Sequence, residues 1–446
     1  MAGNWNWNWT LLAISAPSLA FLFPPRFRLA AAVILAAGFI GGQFLVSPGH
    51  ASRGTLLSGV VAAILLFVAS RLRGRPGKRK WIPVAGAVVV LAAAIVGCVV
   101  LRSGVPASAV AQENRLALWQ GTIALGEKQW LFGSGPERFE GEIAPYLPLA
   151  YHDSDFAADR HPHPHNELLF YWCGFGIFGI LWWGIGAALG MRGILRRRRG
   201  DGLILLTAWA WLVLLVHGQV DVILYTPLAG GLFLLLTGAL AAVGTGRNRI
   251  PAPSPRLLPL LLFGGAAAVL LGVNLLSGWN CRTGKLALLE GDPETARRHL
   301  ERSAAILPTP ENLYALGTVE LFDFRDPVAA AKTLGRIESE CRLPSYSHSA
   351  GRIARALAAA GMAKESLPYF EQEQRNFPRS AVNLRLWESV ARALGDTARA
   401  DRLLAEWKAL LAHKGIDETL FPQLLRNQHL DDSPLALKLF LKENGR

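Results

Sequence analysis

The segment His161-Pro162-His163-Pro164-His165-Asn166-Glu167 joins a polar, histidine-rich stretch to an apolar run over residues 168–190. Nine residues separate Asn166 from Gly176, and Gly179 follows three positions later. Asparagine is a good helix N-cap, so Glu167 is expected to be the first helical residue. His165 would then lie at the membrane surface, beside the positive end of a helix, which is a favourable place for a phosphate or diphosphate group.

Histidine exchanges protons near neutral pH, so His165 can accept the proton of an attacking hydroxyl group. The alternative is that the three histidines only form a polar surface or bind a metal adventitiously. Taken alone, the histidines favour this alternative, because a single short motif is weak evidence of chemistry.

The composition indicates a chain that is partly membrane-embedded and partly soluble. Its 446 residues are too many for one compact soluble domain, and 51% are apolar while 18% are charged. The net charge is +13, but the basic residues cluster in short runs between apolar segments, at 71–80 and 192–199. The positive-inside rule produces that pattern, whereas a nucleic-acid-binding protein gathers basic residues on one soluble face. The four cysteines lack metal-binding spacing, and neither a metal nor a cofactor is expected.

Apolar segments near the length of about 20 residues that crosses a bilayer predict a membrane helix bundle. The eight segments cover residues 10–23, 29–46, 55–70, 81–101, 167–190, 203–216, 222–243 and 257–276. Every second linker is basic, which places those linkers in the cytoplasm. The loop 102–166 and everything after 276 are then expected on the outer side, the periplasm of a Gram-negative bacterium. The predicted fold class is all-α, with a polytopic membrane bundle over 1–276 and a soluble helical domain over 277–446.

The predicted soluble domain carries a repeat in which a small residue is followed four positions later by a large apolar one. The pairs are Ala296 and Leu300, Ala330 and Leu334, Ser366 and Phe370, and Ala400 and Leu404. Their spacings of 34, 36 and 34 residues resemble those of tetratricopeptide repeats, helix-turn-helix units that stack into an α-solenoid. The concave surface of such a solenoid binds partner proteins. A plain helical bundle is the alternative.

Two polar sites lie at the ends of predicted spans. Arg53 stands at the outer end of the third span, where its planar guanidinium suits diphosphate oxygens, although it can equally anchor the helix end by snorkelling. His217 and Asp221 share the short turn between the sixth and seventh spans. They could line one cavity, but a polar hairpin tip at the surface is the favoured interpretation.

An amphipathic helix is predicted over residues 114–131 of the outer loop. Its expected apolar positions are Leu116, Trp119, Ile123 and Trp130. Arg115 precedes Trp119 by one helical turn, and the alternative is an ordinary surface arginine.

Together these motifs resemble the O-antigen ligase/polymerase superfamily, membrane enzymes that move glycans from a lipid diphosphate carrier. The resemblance covers roughly residues 3–240 and rests on an Asn-Trp run at 4–9, on Ser-Arg-Gly at 52–54, on the Arg115 helix with residues 131–135, on the long outer loop, and on His165-Asn166-x9-Gly176-x-x-Gly179. The last pattern is the most specific of these, and it reverses the preference for a polar surface. Members of the family usually carry several more spans before the Asn-Trp run, so N-terminal spans are expected to be missing here.

The resemblance implies a metal-independent transferase whose bundle is similar to that of GT-C-type glycosyltransferases. It implies His165 as the general base, Arg53 and Arg115 as ligands of the undecaprenyl diphosphate, and Asn166 and His163 as further substrate-binding residues. The glycan would pass to a lipid A-core, polysaccharide or protein acceptor at the periplasmic face of a bacterial inner membrane. The motifs do not separate ligases, polymerases and protein oligosaccharyltransferases.

A hypothesis from a different class is a non-catalytic, membrane-anchored scaffold. Its repeat domain would recruit envelope or polysaccharide-export proteins. Catalytic competence of the histidine and the arginines distinguishes this hypothesis from the transferase. A transporter is disfavoured, because most spans lack acidic residues and the one long loop lies on a single side.

The alternating basic linkers make a prediction about topology. A reporter that fluoresces only in the cytoplasm, fused after Arg446, is expected to stay dark, because the C-terminal domain would lie outside. The same reporter fused into the basic linker at 71–80 is the positive control. A bright C-terminal fusion would contradict the eight-span arrangement.

Overall fold

The computed structural model describes a set of segments that includes both the histidine motif and the repeats. These segments are residues 10–11, 13–15, 17, 19, 31, 34–35, 53–72, 114–135, 138–152, 161–196, 202–221, 223–225, 227–245, 257–344, 346–414 and 417–420. Every regular element in them is helical, so the predicted all-α class is confirmed for this part of the chain.

The α-helices of the described segments number sixteen and are labelled in chain order. They are α1 (Arg53–Leu72), α2 (Asn114–Lys128), α3 (Phe139–Glu142), α4 (Leu149–His152), α5 (Glu167–Phe175), α6 (Ile177–Arg196), α7 (Gly202–His217), α8 (Pro227–Thr245), α9 (Leu257–Leu289), α10 (Pro293–Ile306), α11 (Pro310–Phe322), α12 (Pro327–Ser339), α13 (Ser349–Ala359), α14 (Ala363–Asn376), α15 (Ala381–Ala393) and α16 (Thr397–Lys414).

Most of the predicted spans within these segments coincide with helices. The third, sixth and seventh correspond to α1, α7 and α8, and the eighth is the first part of α9. Within the described residues, only α6 is long and apolar enough to cross a membrane, and shorter apolar helices lie at Thr55–Ala69, Gly202–His217 and Ala229–Val243. The predicted span 81–101, half of 10–23 and most of 29–46 lie outside the described residues. The eight-span topology therefore stays a prediction.

The fifth predicted span was wrong as a single helix. The backbone breaks at Gly176, where φ is 61°, so residues 167–190 are divided between the nine-residue α5 and the start of α6. L-residues rarely adopt a positive φ, and glycine adopts it without steric cost. The 20 residues of α6 give a length of about 30 Å, close to the hydrocarbon thickness of a bilayer.

The chain divides into two compact units. The first contains Met1–Ala111, Gly126–Pro136 and His163–Pro253, and the second contains Gln112–Leu125, Glu137–Pro162 and Ser254–Arg446. The boundary predicted after residue 276 falls inside α9, which is one continuous helix of 33 residues.

The core of the first unit centres on Trp211 of α7. Its ring stacks on Phe233 of α8 at 5.9 Å between centroids, and its Nε1–H donates to Thr237 Oγ1 over 2.9 Å. On α6, a Cβ added at Gly190 would lie 2.2 Å from the indole ring. Because no side chain fits there, Gly190 allows α6 to approach Trp211 closely.

The second unit contains consecutive helices that pack in pairs. The second helix of each pair is α10, α12, α14 or α16. The side chains of Asp292, Asp326 and Asp396 accept the N–H three residues ahead and so start α10, α12 and α16, while α14 begins after Met362 without a side-chain cap. These starts reproduce the spacings of 34, 36 and 34 residues, so capping chemistry explains part of the repeat.

The small residues of the repeat occupy equivalent positions in these second helices. Ala296, Ala330, Ser366 and Ala400 are all fully buried. The large partner fills the next turn; Leu334, for example, packs so closely that a Cβ on Gly317 of α11 would lie 2.5 Å from its Cγ. The buried small residue lets the two helices of a pair approach, and the large one fills the space a turn later. The tetratricopeptide-like solenoid itself stays a prediction.

The predicted apolar face of α2 was wrong. The helix ends at Lys128, and it buries Leu118 and Leu125, whereas Leu116, Ile123 and Trp130 are exposed. Apolar residues surround this helix on more than one side, so its periodicity did not determine which side faces the core.

Replacement of Leu334 by alanine is expected to destabilise the second unit. Loss of a fully buried leucine typically costs about 2–5 kcal/mol, because the cavity does not close. Val328→Ala on the same helix is the matched control, because Val328 is exposed and such surface changes stay within about 0.5 kcal/mol. Urea unfolding followed by circular dichroism measures both. Equal free energies of unfolding for the two variants would contradict this packing.

Candidate functional site

The spacing between His165-Asn166 and Gly176 is the length of one helix. Asn166 is the N-cap of α5, with extended backbone (φ −157°), and its Oδ1 accepts the Leu169 N–H over 3.0 Å. Gly176 ends the same helix. The nine residues between the two are therefore α5 itself, and the expected cap at Asn166 is confirmed.

The turn at residues 131–135 packs onto the break between α5 and α6 through backbone hydrogen bonds. The donors Ser134 N–H and Gly135 N–H reach Cys173 O and Gly174 O over 2.7 and 3.1 Å, and Ile177 N–H donates to Trp130 O over 2.8 Å. Residues 131–135 are part of the resemblance to the family, and these hydrogen bonds show that the segment has a structural role.

Side chains are excluded where these two segments meet. A Cβ on Gly133, whose φ is 71°, would lie 2.5 Å from Phe175 N, and one on Gly176 would lie 2.3 Å from the Leu131 carbonyl. A Cβ on Gly179 would lie 2.1 Å from Tyr171 O, so this glycine lets the start of α6 pack against α5. The Gly-x-x-Gly pattern thus positions α5 rather than supplying chemistry.

His165 pairs with a carboxylate that comes from a distant part of the sequence. Its Nδ1 lies 3.0 Å from Asp221 Oδ1, and the Asp221 side chain is only 2% exposed, whereas that of His165 is 32% exposed. A carboxylate only accepts hydrogen bonds, so Nδ1 carries the proton of this bond. In the neutral ring, Nε2 then keeps its lone pair and is the basic atom of the pair.

The backbone of His165 is in the left-handed region, with φ 51°. A non-glycine residue there costs about 1–3 kcal/mol and persists only when its surroundings hold it. The ring of His163 lies edge-on to that of His165, with 4.5 Å between centroids, and near Tyr225 at 6.1 Å. Packing by His163 therefore helps to fix the imidazole of His165.

The segment after α7 supplies Asp221, and α5 holds it on both sides of that residue. Asn166 Nδ2 donates to Gln219 O over 2.9 Å, and Glu167 N–H donates to Gly218 O over 2.6 Å. The carboxyl group of Glu167 is fully buried, and its Oε1 accepts the Leu224 N–H over 2.7 Å. The first turn of α5 is thereby joined to residues 218–224 by three hydrogen bonds.

The hydrogen bonds at the first turn of α5 also bear on whether the positive end of this helix has free N–H groups for a phosphate. Of the four N–H groups at this end that have no acceptor within the helix backbone, those of residues 166–169, two have protein acceptors: Glu167 N–H donates to Gly218 O and Leu169 N–H donates to Asn166 Oδ1. The protein itself therefore uses part of the donor capacity of this helix end.

The interpretation of residues 217–221 as a polar tip at the surface was wrong. His217 is completely buried, and its Nδ1 lies 2.9 Å from Thr10 Oγ1, which in turn lies 2.7 Å from Thr55 Oγ1. Thr55 is two residues beyond the start of α1 at Arg53. A buried polar chain thus connects α1 to the segment that carries Asp221.

The structure brings together three of the five predicted site residues. His165, Asn166 and His163 lie in the first unit within one continuous set of contacts. Arg53 is the first residue of α1, but its side chain is outside the described part of the structure. Arg115 lies on the part of α2 that belongs to the second unit and is partly buried. The roles of these residues stay predictions.

Sequence reasoning missed Asp221 as the partner of His165 and Glu167 as a structural clamp. Both are acidic residues next to long apolar runs, and an acidic residue in such a place is costly unless it is paired. That signal was present at Asp221. Which residue it pairs with depends on a contact across 56 residues, which no local pattern reveals.

No group of three or more His, Cys, Asp or Glu side chains is placed to hold a metal ion in the part of the chain that the structure describes.

One protein family has a model that matches this chain. The model, described as O-Antigen ligase, matches residues 43–184, about a third of the chain. The matched region includes Arg53, Arg115 and the whole of His165-Asn166-x9-Gly176-x-x-Gly179, but it ends before Asp221. This part of the chain is similar to the O-antigen ligases, which supports membership of that superfamily and glycan transfer of the ligase or polymerase type. No curated protein matches the chain.

The two roles of Asn166 can be separated by substitution. Asn166→Ala removes both the cap and the donor to Gln219 O, and loss of the cap alone typically costs about 1 kcal/mol. Asn166→Ser keeps a capping oxygen and loses the amide donor to Gln219 O, so its midpoint of thermal unfolding is expected to lie between those of the wild type and the alanine variant. Scanning fluorimetry of the detergent-solubilised protein measures this order, and a midpoint for Asn166→Ala equal to the wild type would argue against the cap.

Proposed function

We propose that this protein transfers a glycan from an undecaprenyl-diphosphate carrier to an acceptor hydroxyl group, with His165 as the general base. The observation that carries the proposal is the His165–Asp221 pair, held at 3.0 Å at the start of α5. The match of residues 43–184 to the O-antigen ligase family supports the same class of reaction.

The proposed reaction is a displacement at the anomeric carbon of the donor sugar. The acceptor hydroxyl transfers its proton to His165 Nε2 while its oxygen forms the new bond to that carbon. The bond from the carbon to the diphosphate oxygen breaks, and its electron pair leaves with the lipid diphosphate. A single displacement of this kind inverts the anomeric configuration.

Asp221 has a definite part in this scheme. By accepting the Nδ1–H, it holds the ring in the tautomer that leaves Nε2 free to take a proton. Its buried negative charge also stabilises the imidazolium that forms during the reaction, because two opposite charges attract more strongly where water is excluded. Asp221 is thus proposed as a positioning and electrostatic residue, and His165 as the residue that touches the acceptor.

Binding of the diphosphate is proposed for the guanidinium groups of Arg53 and Arg115. In the first turn of α5, the N–H groups of Glu167 and Leu169 already bind protein oxygens. Arginine provides paired N–H donors that match phosphate oxygens. Asn166 and His163 are proposed to act mainly by placing His165, since their contacts are with Gln219 O and with the His165 ring.

The proposed setting is the bacterial inner membrane, with the site and the C-terminal domain on the periplasmic side. The acceptor class stays open among lipid A-core, a growing polysaccharide and a protein. The C-terminal helical pairs are proposed to recruit an envelope protein through a solenoid surface. A purely structural scaffold has no need of a buried carboxylate paired with a partly exposed histidine, so the transferase is the better-supported proposal.

Glycan transfer by the full-length protein in proteoliposomes tests the base. With a defined undecaprenyl-diphosphate glycan and a candidate acceptor, His165→Ala is expected to lower the rate by about 10²–10⁴, the usual contribution of a general base. His413→Ala on the exposed surface of α16 is the matched control and should keep the wild-type rate. A His165→Ala protein that transfers as fast as the wild type would refute the proposal.

Two further variants separate orientation from binding. Asp221→Asn should cause a smaller loss of transfer rate than His165→Ala, because the amide oxygen still accepts the Nδ1–H but carries no charge.

Arg53→Lys keeps the charge and loses the paired donors, so its defect in transfer should be partly overcome by more donor lipid. The defect of His165→Ala should persist at saturating donor.

A further inference from the structure

Three consecutive large apolar side chains project from the turn after α2. Trp130, Leu131 and Phe132 are 57%, 37% and 71% exposed. Their backbone is nonetheless firmly held, because the hydrogen bonds of Trp130 O, Ser134 N and Gly135 N fasten this turn to the break between α5 and α6. The turn therefore presents a fixed apolar surface rather than a loosely attached loop.

This apolar surface continues along the membrane-length helix α6. Phe132 stacks on Phe178, in the first turn of α6, with 5.9 Å between ring centroids. Beyond Phe178, the exposed apolar side chains of this helix recur at helical spacing on one side and are Leu181, Trp182, Ile185 and Leu189. In a bilayer, such a side contacts the lipid chains. The turn lies at the end of that side.

The residue types favour lipid over a protein partner at this position. Tryptophan and other aromatic residues are enriched at the depth where a bilayer meets water, next to basic residues that reach the headgroups. Lys128, which is exposed, ends α2 two residues before Trp130. Along the chain, the charged side chain of Lys128 therefore precedes the exposed apolar side chains of Trp130 and Phe132, and Phe132 contacts α6.

We propose that Trp130, Leu131 and Phe132 insert into the headgroup and upper acyl region of the bilayer, in the leaflet that surrounds the N-terminal end of α6. The insertion has a consequence for the site. The turn is bonded to Cys173 and Gly174 of α5, so its depth in the bilayer sets the depth of α5 and of the His165 end of that helix. This inference concerns membrane contact and does not depend on glycan transfer.

Photo-crosslinking in proteoliposomes of radiolabelled phosphatidylethanolamine and phosphatidylglycerol tests the insertion. The full chain carries p-benzoylphenylalanine in place of Phe132 or, in a second variant, in place of Trp130. The backbone oxygen of Trp130, which accepts the Ile177 N–H, is kept in that variant. Phe178 is the positive-control position. Glu127 is the matched negative control, because it is exposed on the last turn of α2 within the same segment of the first unit.

Lipid adducts at positions 132 and 130 are expected at yields close to that of position 178 and several-fold above that of position 127. The proposal would be overturned if position 178 formed lipid adducts but positions 132 and 130 gave no higher yield than position 127. Adducts to another protein chain at positions 130 and 132 would also overturn it. If position 178 also formed no lipid adducts, both the insertion proposal and the assignment of α6 as a membrane span would be overturned. If the wild-type chain transfers no glycan while the variants crosslink fully to lipid, only the proposed function is contradicted.

Discussion

Glu167 is the residue on which the site most depends, because it joins the start of α5 to the segment after α7 through two hydrogen bonds. Its N–H binds Gly218 O, and its buried carboxyl group binds the Leu224 N–H. Asp221 lies between these two anchor points, so its position opposite His165 follows from them. A polar group buried in this way is stable only while it is hydrogen-bonded, so removal of the Glu167 carboxyl group would leave the Leu224 N–H without this acceptor.

The sequence predicted the local parts of the site well. Asn166 is a cap because its short amide side chain reaches the N–H three residues ahead, and that reach is a property of the local sequence. The pairing of His165 with Asp221 was not predictable in the same way, since it depends on how α7 packs in the first unit. The break at Gly176 was missed because glycine within an apolar run is compatible with either a continuous or an interrupted helix.

The helical pairs of the second unit were easier to predict than α2. Their starts are set by Asp292, Asp326 and Asp396, and their close approaches by small residues such as Ala296. Each of these signals acts within one or two turns. In α2, by contrast, Leu118 and Leu116 are both apolar, and the choice of which one is buried comes from neighbours that are distant in sequence. The arginine roles and the number of spans depend on long-range arrangement, which is why they remain predictions.

The length of α5 limits the insertions and deletions that this region can accept. The helix places His165 at one end and the Gly176 break at the other, and both ends are fixed by contacts to different segments. One inserted residue would turn these ends relative to each other by about 100° and separate them by about 1.5 Å more. The imidazole and the turn at 131–135 could then not both keep their bonds. Outside Glu167, a substitution within α5 is therefore expected to disturb the site less than an insertion or deletion, so the count of residues between Asn166 and Gly176 is part of what defines this site.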